Sequence, residues 1–312
     1  MSVKLKGRDL LSIADLTEEE FWELLEFAKL LKLETLAGKR HEYLKGKTLA
    51  MIFQKPSTRT RVAFEVGMYQ LGGYALYLSS NDMQLRRGET IADTARVLSR
   101  FVDGIMARVF DHQDVVDLAK YGSVPVINGL SDEEHPSQVL ADFLTIWEKF
   151  GTLKGLKLAY VGDGNNVAHS LLLAAGLVGM DIAVATPQGY EPKSFYVEKA
   201  KELAAKHGSS VQVLRDPVEA VTGANAVYTD VWASMGQEAE HEERLKIFKP
   251  YQVNPELMSH ADKNAIFLHC LPAHRGEEVV DEVADSPQSA IFDEAENRLH
   301  AHKAILALLM GD

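Results

Sequence analysis

Phe53-Gln54-Lys55-Pro56-Ser57-Thr58-Arg59-Thr60-Arg61 is the stretch from which the chain is best read. An apolar run, residues 48–53, leads into it and predicts a buried strand. Phe64, Met68 and Leu71 follow at a spacing that puts them on one helical face. Pro56 marks the break between the two and Ser57 is a good N-cap, so residues 57–60 are predicted to form the first turn of a helix. The amides of a first turn have no partner within the helix and sit at the positive end of its dipole, which makes an anion site before any side chain is counted. Here the chain adds three hydroxyls, Ser57, Thr58 and Thr60, and three cations, Lys55, Arg59 and Arg61, with no acid among them. A capped helix with a solvated charged turn is the plain reading of such a stretch. The density of donors at one helix end favours a bound phosphate.

Around this stretch, 312 residues are enough for two domains, each with its own core. The formal net charge is −12, which disfavours sequence-independent nucleic-acid binding because that runs on neutralising phosphates. An anionic substrate must then be captured by a local cluster working against the overall field. The single cysteine, Cys270, excludes an intramolecular disulfide and fits a reducing compartment. Residues 1–9 hold no apolar core of signal-peptide length, and no window approaches the ~18 apolar residues of a membrane span. These features predict a soluble cytoplasmic protein that binds neither membrane nor nucleic acid.

Residues 17–33 read as an amphipathic helix capped by Thr17, with Glu20 completing a capping box and Leu16 placed to staple onto Phe21. From residue 48 to 149 strand and helix alternate. Strands are expected at 48–53, 75–78, 104–108 and 124–128, and helices at 90–100 and 136–149; Pro125 weakens the fourth strand. Gly151-Thr152-Leu153-Lys154-Gly155 is the best linker. Strands are expected again at 156–161, 181–185, 211–214, 226–228 and 266–269, and a helix at 294–310. The pattern predicts an α/β protein of two doubly wound domains, 1–150 and 151–312, each a mainly parallel sheet flanked by helices. The final helix is expected to pack back on the first domain. Ligands of such sheets bind beyond the carboxyl ends of the strands, so a cleft between the domains is the expected active site.

Each chemistry-bearing group has a plain alternative. Arg108 closes the run Ile105-Met106-Ala107; it is either a rim arginine paired with Asp103 or Asp111, or a bidentate clamp on phosphate or a developing oxyanion. In His135-Pro136-Ser137-Gln138, at a helix start, the imidazole either caps or donates to a carbonyl oxygen, and Gln138 can bond an amide. Gly162-Asp163-Gly164-Asn165-Asn166-Val167 looks like the opening of a dinucleotide fingerprint. Its third glycine is replaced by Val167, however, and the next strand ends Ala185-Thr186-Pro187, without the ribose-binding acid. Asn165 and Asn166 suit the polar end of an amino acid. Asp230, in Asp230-Val231-Trp232-Ala233-Ser234-Met235-Gly236, is either a loop acid held by backbone amides or a seat for a substrate cation. His269 and Cys270 are adjacent on a predicted strand, hence on opposite faces, which disfavours a nucleophile pair. His300 and His302, two apart on a helix, do not share a face, and there is no HExxH, so no metal is expected.

Taken together, the chain resembles the ornithine branch of the aspartate/ornithine carbamoyltransferase family. Ser57-Thr58-Arg59-Thr60-Arg61 is similar to its carbamoyl-phosphate motif, His135-Pro136-Ser137-Gln138 to its HPxQ, residues 230–236 to its DxxxSMG ornithine loop, and His269-Cys270-Leu271-Pro272 to its HCLP. The likeness covers nearly the whole chain in family order. The aspartate branch differs in the late motif and carries a lysine in the loop that here reads Asp82-Met83-Gln84-Leu85-Arg86.

The resemblance implies a homotrimer, or a multiple of trimers, that transfers the carbamoyl group of carbamoyl phosphate to the side-chain amine of L-ornithine, giving L-citrulline and phosphate. It implies that Ser57, Thr58, Arg59, Thr60 and Arg108 hold the phosphate and that Gln84 reaches a neighbouring subunit's site. It further implies that His135, Gln138, Cys270, Leu271 and Arg298 surround the carbamoyl group, and that Asn166, Asp230, Ser234 and Met235 hold ornithine. Arg108, His135, Cys270 and Asp230 would be catalytic, with no cofactor. Three alternatives stand beside this: a carbamoyltransferase for putrescine or an N-acylated ornithine, an NAD-dependent dehydrogenase, and a catalytically silent scaffold subunit.

Overall fold

β1 (Thr48–Phe53) is a continuous apolar run, and all of it but its first residue is buried, as a central strand covered on both faces requires. It pairs in parallel with β2 (Tyr74–Ser79) and β3 (Gly104–Arg108), and β3 pairs in parallel with β4 (Val126–Leu130). The strand order is therefore β2-β1-β3-β4. The computed structural model describes residues 4–233 and 238–311. Contacts divide the chain into two units: unit 1 is Met1–Leu144 with Glu296–Asp312, and unit 2 is Thr145–Ala295.

Unit 1 carries α1 (Glu18–Leu36), α2 (Thr58–Gln70), α3 (Ile91–Leu98), α4 (His112–Tyr121) and the first part of α5 (Pro136–Phe150). The Thr17 side chain caps α1 and the Glu20 carboxylate returns to the Thr17 amide, the predicted capping box. Phe64, Met68 and Leu71 are fully buried, so α2 turns the predicted face to the core. The fourth strand begins after Pro125, whose carbonyl accepts from the Ile105 amide, and so runs two residues later than expected. Helix α4 was not expected. Asp111, one of the two acids weighed as a partner for Arg108, instead caps it by accepting from the Gln113 amide. Asp103, the other, accepts from the Thr48 amide and hydroxyl.

In unit 2 the strands are β5 (Lys157–Val161), β6 (Asp181–Ala185), β7 (Val211–Leu214), β8 (Ala226–Tyr228) and β9 (Ile266–Leu268), all parallel in the order β7-β6-β5-β8-β9. The helices are α6 (Asn166–Val178), α7 (Ser194–Ala205), α8 (Pro217–Val221), α9 (His241–Phe248), α10 (Pro255–Met258), α11 (Asp281–Ala284) and the start of α12 (Ile291–Met310). Every residue of α6 from Val167 to Val178 is buried, which its all-round apolar composition anticipates. A Cβ at Gly176 would come within 2.5 Å of the Ala200 carbonyl oxygen, so only glycine lets α6 and α7 pack this closely. Both units are α/β, with parallel sheets flanked by helices.

The rest of α12 belongs to unit 1. Its buried Lys303 donates to the Thr35 hydroxyl at 2.7 Å and to the Gln70 amide oxygen at 2.9 Å, fastening α12 to α1 and α2. His302 stacks on Phe64 with ring centroids 4.0 Å apart. Among the described residues no helix is long and apolar enough to cross a membrane.

Candidate active site

In unit 1 the strand order reverses between β1 and β3, and a doubly wound sheet offers its ligand crevice at the carboxyl edge of that reversal. Phe53 and Arg108 are register partners at this edge. Gln54 then stitches the two strand ends together: its amide donates to the Arg108 carbonyl at 2.8 Å, its side-chain oxygen accepts from the Phe110 amide, and its side-chain nitrogen donates to Asp114. The chain turns and enters α2 at Ser57, which is extended and whose Oγ accepts from the Thr60 amide at 3.3 Å. The first turn holds no acid.

Cations gather on this helix start from distant parts of the sequence. Arg298 of α12 donates to the Thr60 Oγ1 at 2.6 Å. Arg108, Arg298 and Lys55 are only 6%, 3% and 9% exposed, so their charges act with little screening by water. His135 stands before α5, with Ser137 Oγ 3.5 Å from its Nδ1. Burial, then the charges of Arg298, Arg108, His302 and Arg59, hold this imidazole well below its ordinary range, so it is neutral at working pH. A neutral ring beside guanidinium groups donates one N–H without adding charge. Burial, then the charge of Arg108, likewise lowers Lys55, whose ammonium lies 4.5 Å from the Phe110 ring centre. Gln138 is fully buried and donates to Asp142 one turn along α5 at 2.7 Å.

One residue of the opening stretch parts from this cluster. Arg61 pairs with Glu65 at 3.0 Å and lies over the Tyr77 ring, so the third predicted cation serves the helix surface. Thr58 is exposed at the helix start. Gln84 is exposed, in the 3-10 turn Gln84–Arg87.

Unit 2 repeats the topology with different chemistry. Its strand order reverses between β5 and β8. Beyond β8 stands Asp230, 6% exposed, and beyond β5 the turn 162–165. The Asn165 side chain donates to Asp230 Oδ2 at 2.8 Å while its oxygen caps α6 by accepting from the Val167 and Ala168 amides. Cys270, beyond β9, donates its thiol hydrogen to Asp230 Oδ1 at 3.1 Å. Asn166 accepts from the Val167 amide at 3.0 Å. Ser234 and Met235 lie outside the described residues.

His269 and Cys270 follow β9 rather than ending it, and they serve different partners. Buried His269 takes the Leu271 amide on Nδ1 at 2.8 Å, which leaves the proton on Nε2 facing Glu278 at 3.0 Å. The His269 amide in turn donates to Glu294. Leu271 has φ 59°, a left-handed conformation that costs a bulky residue on the order of 1–3 kcal/mol and is commonest at functional sites. The glycines of the 162–164 turn are explained internally. A Cβ at Gly164 would lie 2.2 Å from the Pro192 nitrogen, so the close approach that this glycine permits is made by the chain's own backbone, not by a pyrophosphate.

Some site residues were not assigned from sequence. Asp142 could have been found, since Gln138 and Asp142 share a helical i,i+4 spacing. Asn165, read from sequence as suited to the polar end of an amino acid, caps α6 and holds Asp230, the latter through a bond spanning 65 positions that leaves no local trace. Glu278 and Glu294, which hold His269, are invisible for the same reason.

Unit 1 carries a cationic helix start and unit 2 a hydrogen-bonded carboxylate, and the family models that match them are those of a group-transfer enzyme. Residues 8–148 match the carbamoyl-P binding domain of aspartate/ornithine carbamoyltransferase, and residues 154–309 match its Asp/Orn binding domain. The chain belongs to the aspartate/ornithine carbamoyltransferase family. Within it, the chain is 67% identical over 311 residues to an ornithine carbamoyltransferase of Pyrococcus abyssi, covering 100% of this chain and 98% of that one. It is 65% identical over 311 residues to the anabolic ornithine carbamoyltransferase of Pyrococcus furiosus, covering 100% and 99%. A solved structure of ornithine carbamoyltransferase from Pyrococcus furiosus superposes with a TM-score of 0.96, covering 98% of each chain at 65% identity.

Proposed function

We propose that the chain transfers the carbamoyl group of carbamoyl phosphate to the side-chain amine of L-ornithine, giving L-citrulline and phosphate. The observation that carries this reading is the gathering of Arg59, Arg108 and Arg298 around a neutral, buried His135 at the start of α2. Unit 1 takes carbamoyl phosphate: Ser57, Thr58, Arg59, Thr60 and Arg108 meet the phosphate, and His135, Gln138 and Arg298 the carbamoyl oxygen and amide. Unit 2 takes ornithine on Asn166, Asp230, Ser234 and Met235, with Cys270 and Leu271 against the carbamoyl group.

The chemistry follows from the residue types. The free amine forms a bond to the carbamoyl carbon, the carbonyl oxygen takes up negative charge, and the carbon–oxygen bond to phosphate breaks. The departing phosphate can accept the proton that the amine sheds. Arg108, His135 and Thr60 aim donors at the oxyanion, and Asp230 with Cys270 orients the amine, so catalysis rests on alignment and electrostatic stabilisation without a covalent intermediate.

The enzyme works as a trimer or a multiple of trimers, to which exposed Gln84 contributes a contact in a neighbouring subunit's site, and it serves arginine biosynthesis in the cytoplasm. The word anabolic in the name of the 65% identical Pyrococcus furiosus relative supports that direction. The test is citrulline formation from ornithine and carbamoyl phosphate by the purified protein, beside carbamoylputrescine formation from putrescine. Citrulline formed well ahead of carbamoylputrescine supports the reading; the reverse preference overturns the assigned amine.

A further inference from the structure

We propose that His241, His274 and Glu277 form a surface site for a divalent transition metal of the zinc class, separate from the half-site on Asp230. His241 is the first residue of α9, and its Nε2 lies 3.1 Å from Glu277 Oε2. The His274 Nδ1 lies 3.5 Å from the same oxygen. One ligand atom of each residue falls within 4.8 Å of the others. A tetrahedral ion with nitrogen and oxygen ligands at about 2.0–2.2 Å sets its ligands about 3.3–3.6 Å apart; the 3.5 Å distance from His274 falls in that range, and the 3.1 Å distance from His241 needs a small outward shift of side chains that are partly exposed. An ion pair needs one imidazole; here two, 33 positions apart in sequence, converge on one carboxylate oxygen.

The pieces that carry these ligands are held from behind, as a binding site requires. The turn that bears His274 and Glu277 is fastened by Gln252, which donates to the Gly276 and Glu277 carbonyls at 2.8 and 2.7 Å. Buried Glu278 accepts from the His274 amide at 2.6 Å. Helix α9 is anchored by buried Arg244, which donates to Asp163 and to the Trp232 carbonyl at 2.8 Å each. The three ligand side chains are 28–44% exposed, which leaves a fourth position open to water. Two imidazoles and one carboxylate favour zinc, nickel, cobalt or copper over magnesium or calcium. Asp230, His269 and Cys270 also lie within 4.8 Å of one another, but both ring nitrogens of His269 and the Cys270 thiol are engaged in the bonds described above. A bound ion would tie the start of α9 to the turn that follows Cys270, stabilising both by mass action.

The test is a cobalt(II) titration of the full-length, tag-free, chelator-treated protein, read by absorption and by Tm. One ion per chain, visible d–d bands without a near-ultraviolet sulfur-to-cobalt band, and a rise in Tm are expected. His241→Ala and His274→Ala should each weaken binding by ~10–100-fold or more, and Cys270→Ser should leave it unchanged. Circular dichroism of each variant separates lost binding from lost fold. A sulfur-to-cobalt band abolished by Cys270→Ser, or binding unaffected in a folded His241→Ala variant, would overturn the proposal, as would the absence of any cobalt spectrum.

Discussion

Unit 1 reverses its strand order between β1 and β3, and there it sets buried arginines, a helix start and a neutral imidazole. Unit 2 reverses between β5 and β8, and there it sets a carboxylate held by an asparagine and a thiol. The architecture and the topological position are the same; the sign of charge is opposite. The same fold thus offers the same place twice, and it is the side chains at the strand ends that give the two places opposite charge.

Breaking the cationic half has the largest expected effect. Arg108→Leu should lower turnover by ~10²–10³, since it removes a donor to the developing oxyanion, with circular dichroism unchanged. An unchanged transferase rate in the folded variant would instead favour a silent scaffold. The pH profile sharpens the contrast between the halves. Burial, then the charges of the neighbouring guanidinium groups, moves His135 below its ordinary 6.5 and away from a rise between pH 6 and 8. The rise must come from the lysine-like substrate amine, with a free pKa of about 10.4: at subsaturating ornithine, activity should climb close to tenfold per unit, about 10² from roughly pH 6 to roughly pH 8. His135→Gln should lower turnover and keep that limb; a limb that vanishes in the variant would show the imidazole to be the titrating group.

Asp230→Asn addresses the other half. It should reduce kcat/KM for ornithine by ~10–10², the worth of a charged hydrogen bond, and leave binding of a phosphonate analogue of carbamoyl phosphate intact by calorimetry. Equal loss at both substrates would erase the division between the halves.

Acid should weaken unit 1 through the same histidines. His135 and His302 lie well below the ordinary value, and His300 is lowered to about 3, each chiefly by burial. Their folded-state pKa values lie below the unfolded one, so the unfolded chain binds protons first. The stability they confer is complete above about pH 6.5 and is lost as pH falls, by up to about 1.4 kcal/mol per unit for each. Asp163 in unit 2, raised to about 6 by burial against the pull of Arg244, acts in the opposite sense between that value and 3.8. The net expectation is a Tm that falls between about pH 7 and about pH 5, with a shallower slope in His302→Gln. The smallest effect is that of Ser57→Ala, which should cost about 1 kcal/mol of stability through the lost cap, with a modest rise in KM for carbamoyl phosphate.

The chain's local signals were legible where structure is local. The strand at 48–53, the Ser57 cap and the Thr17 capping box are set by neighbours a few residues apart, and they stand where the residues predict. Helix α4 was missed because Asp111 was weighed as an ion-pair partner rather than as a cap. The pairing of Arg61 with Glu65 was legible as an i,i+4 spacing, whereas its place over Tyr77, on β2, was not. Only the resemblance linked Arg298 to the opening stretch, since the bond to Thr60 spans 238 positions. No pattern along the chain encodes such a contact.

That bond has a practical side. A fragment cut at residue 148 would keep every motif of the cationic half yet lack the guanidinium that reaches Thr60 and the ammonium that ties Thr35 to Gln70. Expressed alone, it should be a poor receiver of phosphate however well its strands formed. The compact unit is a split one, residues 4–144 with 296–311, so protein engineers exchanging halves between relatives would need to carry both pieces together.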